Sequence, residues 1–389
     1  MLENQGKSST PIFVSLIPNL MGGEGHIIPY HQAVSQAVNK LGWKHLVAIP
    51  TNSNINDLPT EWEGYLSHDD LEAEGNIWQK ILRLIGVYKL AITIAKYFKN
   101  NVINQSELSI IFLERFIHLQ LLSLAIALWL VPTQNLSVWL LYRRDTHKDK
   151  TRFIYKFLND LIKKRLPKGN FKLLTDSELL SQALCDYFQE KVTVMPIPHT
   201  DIKVNNLNKN EQSSEILCWW AGFPREEKGW SKIQALVNTS IEDNQKICLI
   251  AAKNANLIPI ETGLDVKLIE NQLTREEYNY WFSISDVILL PYNSDAYGER
   301  TSGIFTECII AGKIPLVTDQ TWMSYELLKY DLGELIINWE SPQQVFLSIL
   351  DMTQDNNIKN KIQAMQNSYQ NFHCINSYAD TMQKLINEK

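Results

Sequence analysis

Short, wholly apolar runs alternate with amphipathic stretches along this chain, and the alternation occurs twice. "PIFVSLIP" (11–18) ends in proline and reads as a buried strand. After the loop "NLMGGEGHII", the stretch "HQAVSQAVNKLGW" places Ala33, Val34, Ala37, Val38 and Leu41 at helical spacing and stops at Gly42, ahead of the strand "KHLVAIP". Such a unit implies a parallel sheet with helices packed on it, because adjacent parallel strands need a crossover. The pattern returns in "LSVWLLYRRD", "TRFIYKFLNDLIKKRL", "FKLLTDS" and "ELLSQALCDYF". Residues 196–215 have no apolar period and are rich in Asn, Ser and Pro, a linker composition. Beyond them "ILCWWAG", "KICLIAA", "VKLIE", "DVILLPY" and "IPLVTD" read as the strands of a second sheet. The expectation is an α/β chain of two Rossmann-like, doubly wound domains facing a cleft. They would cover 1–200 and 201–365, with a C-terminal helix, 366–389, packing back on the first.

Composition fits that plan. A chain of 389 residues that is 45% hydrophobic and 21% charged suits two domains, each able to bury its own core. A net charge of −6 argues against non-specific nucleic-acid binding. Five dispersed cysteines without a C-x-x-C pair read as reduced, buried thiols rather than a disulfide frame or zinc site. The polar N-terminus has no signal-peptide pattern, which makes a cytoplasmic protein the expectation. The apolar run "LQLLSLAIALWLV" (119–131) is shorter than the roughly 20 residues a spanning helix needs and reads as a buried helix. Residues 51–106 are harder to place, although "IWQKILRLIGVYKLAITIAKYF" is helical in pattern.

Doubly wound sheets hold ligands at the carboxyl ends of their strands, so the chemistry is sought in the loops that follow strands. After "DVILLPY" comes the polar loop "NSDAYGER", then Ser302 as an N-cap and Gly303 in the first helical turn. A helix start offers free N–H groups and a partial positive charge, and a bare glycine lets an anion approach the backbone. Glu307 is four residues on, on the same helix face, where its carboxylate would accept hydrogen bonds from neighbouring hydroxyls such as those of a ribose. The competing reading puts Glu307 on a solvated helix face. After "ILCWWAG", the stretch "AGFPREEKGW" offers Gly222 for a turn, Arg225 and Lys228 as a clamp for a diphosphate, and Gly229 for a second turn. The competing reading there is a surface loop whose charges pair locally.

Together these two stretches resemble the second domain of GT-B glycosyltransferases, in particular the large retaining group with an E-x7-E element (glycosyltransferase family 4-like). Gly222, Arg225, Lys228 and Gly229 meet the pattern G-x-x-R-x-x-K-G, and Glu299 and Glu307 are separated by seven residues. The resemblance is good over about 215–330. It implies that Arg225 and Lys228 hold the donor diphosphate and act in catalysis, that Glu307 binds the nucleotide ribose, and that Ser302 and Gly303 contact phosphate. The loop with Gly22 and Gly23 is similar to the family's first glycine-rich loop. It is not a dinucleotide fingerprint, since Ile28 stands where a third glycine would be. The chain departs from the family where Arg300, Thr301 and Ser302 replace the usual Pro/Phe-Gly, which leaves Glu299 in the loop and offers Arg300 as a donor contact.

The resemblance implies transfer of a sugar, with retention, from a nucleotide-diphosphate sugar to an acceptor hydroxyl of a glycan, lipid-linked or small-molecule acceptor. No metal or other cofactor is expected, and no D-x-D element occurs. His26, Arg143 and Arg144 are candidate contacts for the acceptor or sugar, against the plainer readings of a surface histidine and a solvated strand end. Trp219 and Trp220 read as core. The basic stretch "KFLNDLIKKRLPKGNFK" is either a solvated helix face or a peripheral contact with an anionic membrane surface. Two rival functions stay open: a nucleotide-sugar 2-epimerase on the same architecture, and a nucleotide-sugar-binding protein without turnover.

Overall fold

A computed structural model describes residues 10–20, 27–51, 53, 55, 58–67, 71, 77–103, 107–200, 215–240, 247–261 and 264–388, the side chains of 77–81 excepted. The chain divides into two compact units, Met1–His199 with Ile375–Lys389, and Thr200–Cys374.

The first unit is built on seven strands: β1 (Ile12–Leu16), β2 (Lys44–Pro50), β3 (Trp62–Leu66), β4 (Ser109–Glu114), β5 (Leu136–Tyr142), β6 (Phe171–Thr175) and β7 (Val192–Val194). They lie in the order β3-β2-β1-β4-β5-β6-β7, and every neighbouring pair is parallel. β1, β4 and β5 are buried along their whole length, the mark of a sheet covered on both faces. The helices are α1 (Ile27–Lys40), α2 (Ile77–Asn101), α3 (His118–Trp129), α4 (Arg152–Arg165) and α5 (Glu178–Phe188).

The second unit has five strands, β8 (Ile216–Trp219), β9 (Ile247–Ala252), β10 (Asp265–Ile269), β11 (Val287–Leu290) and β12 (Ile314–Val317), in the order β10-β9-β8-β11-β12, again all parallel. β10 is mostly exposed, as suits an edge strand carrying Asp265 and Lys267. Its helices are α6 (Trp230–Val237), α7 (Arg275–Ile284), α8 (Ser294–Tyr297), α9 (Gly303–Ile310), α10 (Trp322–Leu328), α11 (Pro342–Gln354) and α12 (Asn356–Phe372). The last helix, α13 (Ile375–Asn387), belongs to the first unit and packs on α1. Its Tyr378, Ala379, Met382 and Leu385 are buried, and the hydroxyls of Tyr378 and Tyr30 are 2.9 Å apart.

Three strands of the first sheet escape the sequence pattern, and one of them, β7, has only three residues. β3 is short and carries Glu63 and Gly64. β4, a central strand, ends at Glu114 only three residues before α3, with Phe116 and Ile117 between, so its apolar run is hard to divide from the helix behind it. Cysteine burial is also less uniform than expected: Cys218, Cys248 and Cys308 are buried, while Cys185 and Cys374 are only partly so, and none of the five is in a disulfide. The 201–214 part of the expected linker lies outside the described residues.

In both sheets the chain reverses direction across one strand pair, β1 with β4 and β8 with β11. The crevice outside the carboxyl ends of such a pair is where a doubly wound sheet receives a ligand. Because α13 closes one face of the first unit, Met382→Ala should cost about 2–5 kcal/mol. Calorimetry should show the loss as a lowered first-unit transition with the second unit's transition in place.

Candidate functional site

The site grows from the adjacency of β8 and β11. Behind β8 the chain turns at Gly222, whose φ of +92° favours glycine, and turns again at Gly229, with φ of +80°. Gly229 has a second reason to be bare. A Cβ there would lie 2.2 Å from the Pro291 carbonyl oxygen and 2.7 Å from its ring. The loop behind β8 is therefore pressed against the residue that follows β11. Two hydrogen bonds pin it: Asn293 N–H to the Glu227 carbonyl at 2.9 Å, and Trp220 Nε1–H to the Lys228 carbonyl at 3.1 Å.

This clamp decides where Lys228 goes. Its Nζ sits 3.0 Å from the point a Gly222 Cβ would occupy, and Ile304 Cδ1 from the first turn of α9 lies equally close to that point. The ammonium also lies 5.6 Å from the centre of the Tyr292 ring. Burial lowers the Lys228 pKa to about 8, the neighbouring Arg225 charge adds to that effect, and Glu227 offsets part of it. Arg225 itself is exposed. Its guanidinium lies 5.8 Å from the Phe223 ring and pairs with Glu227 at 3.4 Å, a surface ion pair of small worth.

At the start of α9 the Ser302 hydroxyl accepts the Phe305 N–H at 3.2 Å, so Ser302 is the N-cap. Nothing lies within 4 Å of a Cβ built on Gly303, so the helix start is open there. Arg300 stacks its guanidinium 4.8 Å from the Tyr297 ring and donates from Nε to the Ala296 carbonyl. Glu299 is half-buried in the same loop.

Glu307 is not on a solvated face: it is 7% exposed. Tyr278 donates to its Oε2 at 2.5 Å and Arg275 Nη1 to its Oε1 at 3.2 Å. Burial raises the Glu307 pKa, and these two partners from α7 counter the shift by stabilising the charge. Tyr278, half-buried and with its pKa raised by desolvation, keeps its proton for that bond. Its ring packs edge-on against Trp219 and Phe282, with centroids 5.4 and 5.0 Å away. Sequence reading missed Arg275 and Tyr278. The available signal was the box T-x-x-E at Thr274 and Glu277, which caps α7 and fixes its first turn.

The remaining candidates separate from this group. Gly22, Gly23 and His26 lie outside the described residues. Arg143 is neither a solvated strand end nor an open anion site. It donates to Glu114 at 2.8 Å and to Asp176 at 2.8 Å, and lies 5.0 Å from the centre of the Tyr30 ring. Burial works against its charge, and Asp176 and Glu114 more than offset that. Arg144 is exposed and pairs with Asp149 at 3.3 Å. Among the described residues Glu215, Cys248 and Asp265 bring ligand atoms within 4.8 Å of one another. That set lies at the amino ends of β8, β9 and β10, the opposite end of the sheet from Gly222 and Gly303. Burial first, then the two carboxylates, pushes the Cys248 thiol up to about 11.

No family model and no curated protein matches the sequence. Solved structures do match. The Candida albicans trehalose-6-phosphate phosphatase N-terminal domain aligns at a TM-score of 0.70 and 10% identity, covering 100% of this chain and 99% of that one. A glycosyltransferase from Rickettsia africae aligns at 0.67 and 13% identity, over 97% of this chain and 98% of its own. This is the GT-B fold. An Anabaena protein, HepE, solved in complex with UDP-glucose, aligns at 0.62 and 8% identity over 97% of this chain and all of its own. At such identities the likeness carries the GT-B architecture and no particular side chain. The two parallel sheets, of seven and five strands, are its two Rossmann-like domains.

Gly229 and Gly303 offer a contrast that separates fold from ligand. Gly229→Ala should lower the melting temperature strongly, because positive φ costs roughly 1–2 kcal/mol before the Pro291 clash is counted. Gly303→Ala should leave it unchanged or slightly raised, as helical alanine is favoured over glycine. Glu307→Ala leaves the Tyr278 hydroxyl and Arg275 without their acceptor and should cost about 1–3 kcal/mol in denaturant melts, with Glu307→Gln recovering part of it.

Proposed function

We propose that this chain is a glycosyltransferase that binds a nucleotide-diphosphate sugar on its second domain and transfers the sugar to an acceptor hydroxyl. The observation that carries the reading is the placement of Lys228. A half-buried ammonium, its proton loosened by burial and a neighbouring guanidinium, stands over Gly222 beside the open start of α9. An anion bound there would relieve both the desolvation and the repulsion between Lys228 and Arg225, and the free N–H groups at Gly303 add donors for a phosphate. Glu307 would accept the ribose hydroxyls, exchanging part of its present bonding to Arg275 and Tyr278. Lys228 and Arg225 act in catalysis by stabilising the diphosphate as it leaves with growing negative charge. Ser302, Gly222, Glu299 and Arg300 frame the donor. The first domain receives the acceptor.

Retention of configuration, with the acceptor attacking from the face the diphosphate leaves, follows from the family resemblance and needs no protein nucleophile. HepE was solved with UDP-glucose, which makes uridine nucleotides the first donors to try. Donor incubated alone separates transfer from 2-epimerisation: a new sugar nucleotide formed without acceptor supports the epimerase.

The test is a thermal-shift series with UDP-, GDP- and ADP-sugars on wild type, Lys228→Gln, Arg225→Ala and Gly303→Ala. One nucleotide class should raise the wild-type melting temperature, and the Lys228 and Gly303 variants should lose most of that rise. Equal shifts in all four proteins, or none in wild type, would end the proposal. Affinity should also follow pH. Lys228 is charged below about 8 and neutral above, so nucleotide diphosphate should bind about tenfold more weakly at pH 9 than at pH 7. Titration calorimetry should show that dependence flatten in Lys228→Arg, whose side chain stays charged.

A further inference from the structure

Helices α2, α3 and α4 pack in sequence over one face of the first sheet, with α3 between the other two. Their inward sides belong to a single core that includes Val87, Leu90, Leu124, Tyr155 and Leu158. The outward sides near the starts of α2 and α4 are unusual for a surface in water. Leu82, Leu84, Ile85 and Tyr88 on α2 and Phe153 and Phe157 on α4 are between 48% and 67% exposed. The pairs Leu84–Tyr88 and Phe153–Phe157 are each four residues apart, so each forms a stripe along its helix. Helices that cross over a parallel sheet begin at the same sheet edge, which brings these two starts to one end of the unit. His118, the first residue of α3, connects them: it senses the charge of Arg83 on one side and of Asp149 and Arg144 on the other, and its ring lies 6.0 Å from that of Tyr155.

The charge around these stripes runs against the rest of the chain. The whole protein carries −6, yet α2 has no Asp or Glu and five basic residues, Arg83 and Lys89 among them. The stretch 144–157 sets Arg144, Lys148, Lys150, Arg152 and Lys156 against Asp145 and Asp149; Arg144 pairs with Asp149 and Lys156 donates to the Tyr187 carbonyl, while Lys150 and Arg152 are exposed beside Phe153. The basic run at the far end of α4 is engaged only in part by its neighbours, and Lys164 is exposed. Lys163 pairs with Glu190, and Arg165 donates to the carbonyls of Leu128 and Val131.

Apolar side chains ringed by cations match the boundary of an anionic bilayer, where the former enter the acyl region and the latter meet the headgroups. We propose that residues 82–89 of α2 and 150–157 at the start of α4 form one surface that seats the first domain on an anionic lipid bilayer. No described helix is long and apolar enough to cross a membrane, so the contact is peripheral. It stands on these exposed side chains and their charge and is independent of the reaction proposed above.

Co-sedimentation of the full chain with vesicles tests this. Wild type should pellet with equimolar phosphatidylglycerol and phosphatidylcholine and bind pure phosphatidylcholine at least about tenfold more weakly, with added salt releasing it. Phe153→Ser/Phe157→Ser and Lys150→Glu/Arg152→Glu should each keep the wild-type melting temperature. Each should lose vesicle binding, by about fivefold or more per cation removed in the second. Wild type that stays in the supernatant with anionic vesicles overturns the proposal. So do variants that pellet like wild type, and so does light scattering that shows the surface joining two copies of the chain, with the Phe153/Phe157 variant monomeric and vesicles unbound.

Discussion

The backbone of Gly229 lies so close to Pro291 that no side chain fits between them. That contact locks the loop behind β8 to the loop behind β11, two strands that neighbour each other in the sheet and are about seventy residues apart in the chain. The placement of Lys228 depends on it. It carries Lys228 back over Gly222, sets the Lys228 ammonium beside the first turn of α9, and leaves Arg225 outside to repel it.

The electrostatics of the two domains differ in kind. In the first, Arg143 is closed between Glu114 and Asp176, each buried and each 2.8 Å from the guanidinium. The three groups satisfy much of one another's charge at the carboxyl ends of β4, β5 and β6, and such a cluster fixes structure before it recruits a ligand. In the second, among the described residues, Glu227 offsets part of the combined effect of burial and Arg225 on Lys228. Glu307 falls between these cases. It is well bonded by Tyr278 and Arg275, and of these two partners Arg275 is partly exposed.

Legibility in the sequence follows the range of the interaction. Strands such as β2 and β12, and the start of α9 with Ser302 as its cap, are written in a few consecutive residues and can be read directly. β4 is harder because an apolar central strand that runs into an apolar helix offers no period to divide them. The burial of Glu307 is not readable at all. Its helix is apolar almost throughout, and whether the one carboxylate faces water or protein depends on α7, which reaches it from about thirty residues upstream.

By itself, then, the sequence determined the alternation of strand and helix, the two parallel sheets and the residue types in the loops behind β8 and β11, because each rests on local periodicity, capping and turn chemistry. Only the tertiary structure decided which charges are satisfied. It enclosed Arg143 between two carboxylates, gave Glu307 a tyrosine and an arginine, and left Lys228 poorly compensated. The physical reason is that a charge is stabilised by what lies within a few ångströms of it in space: for Arg143 and Glu307 that company comes from distant parts of the chain, and for Lys228 the burial does, while its charged neighbours Arg225 and Glu227 are local.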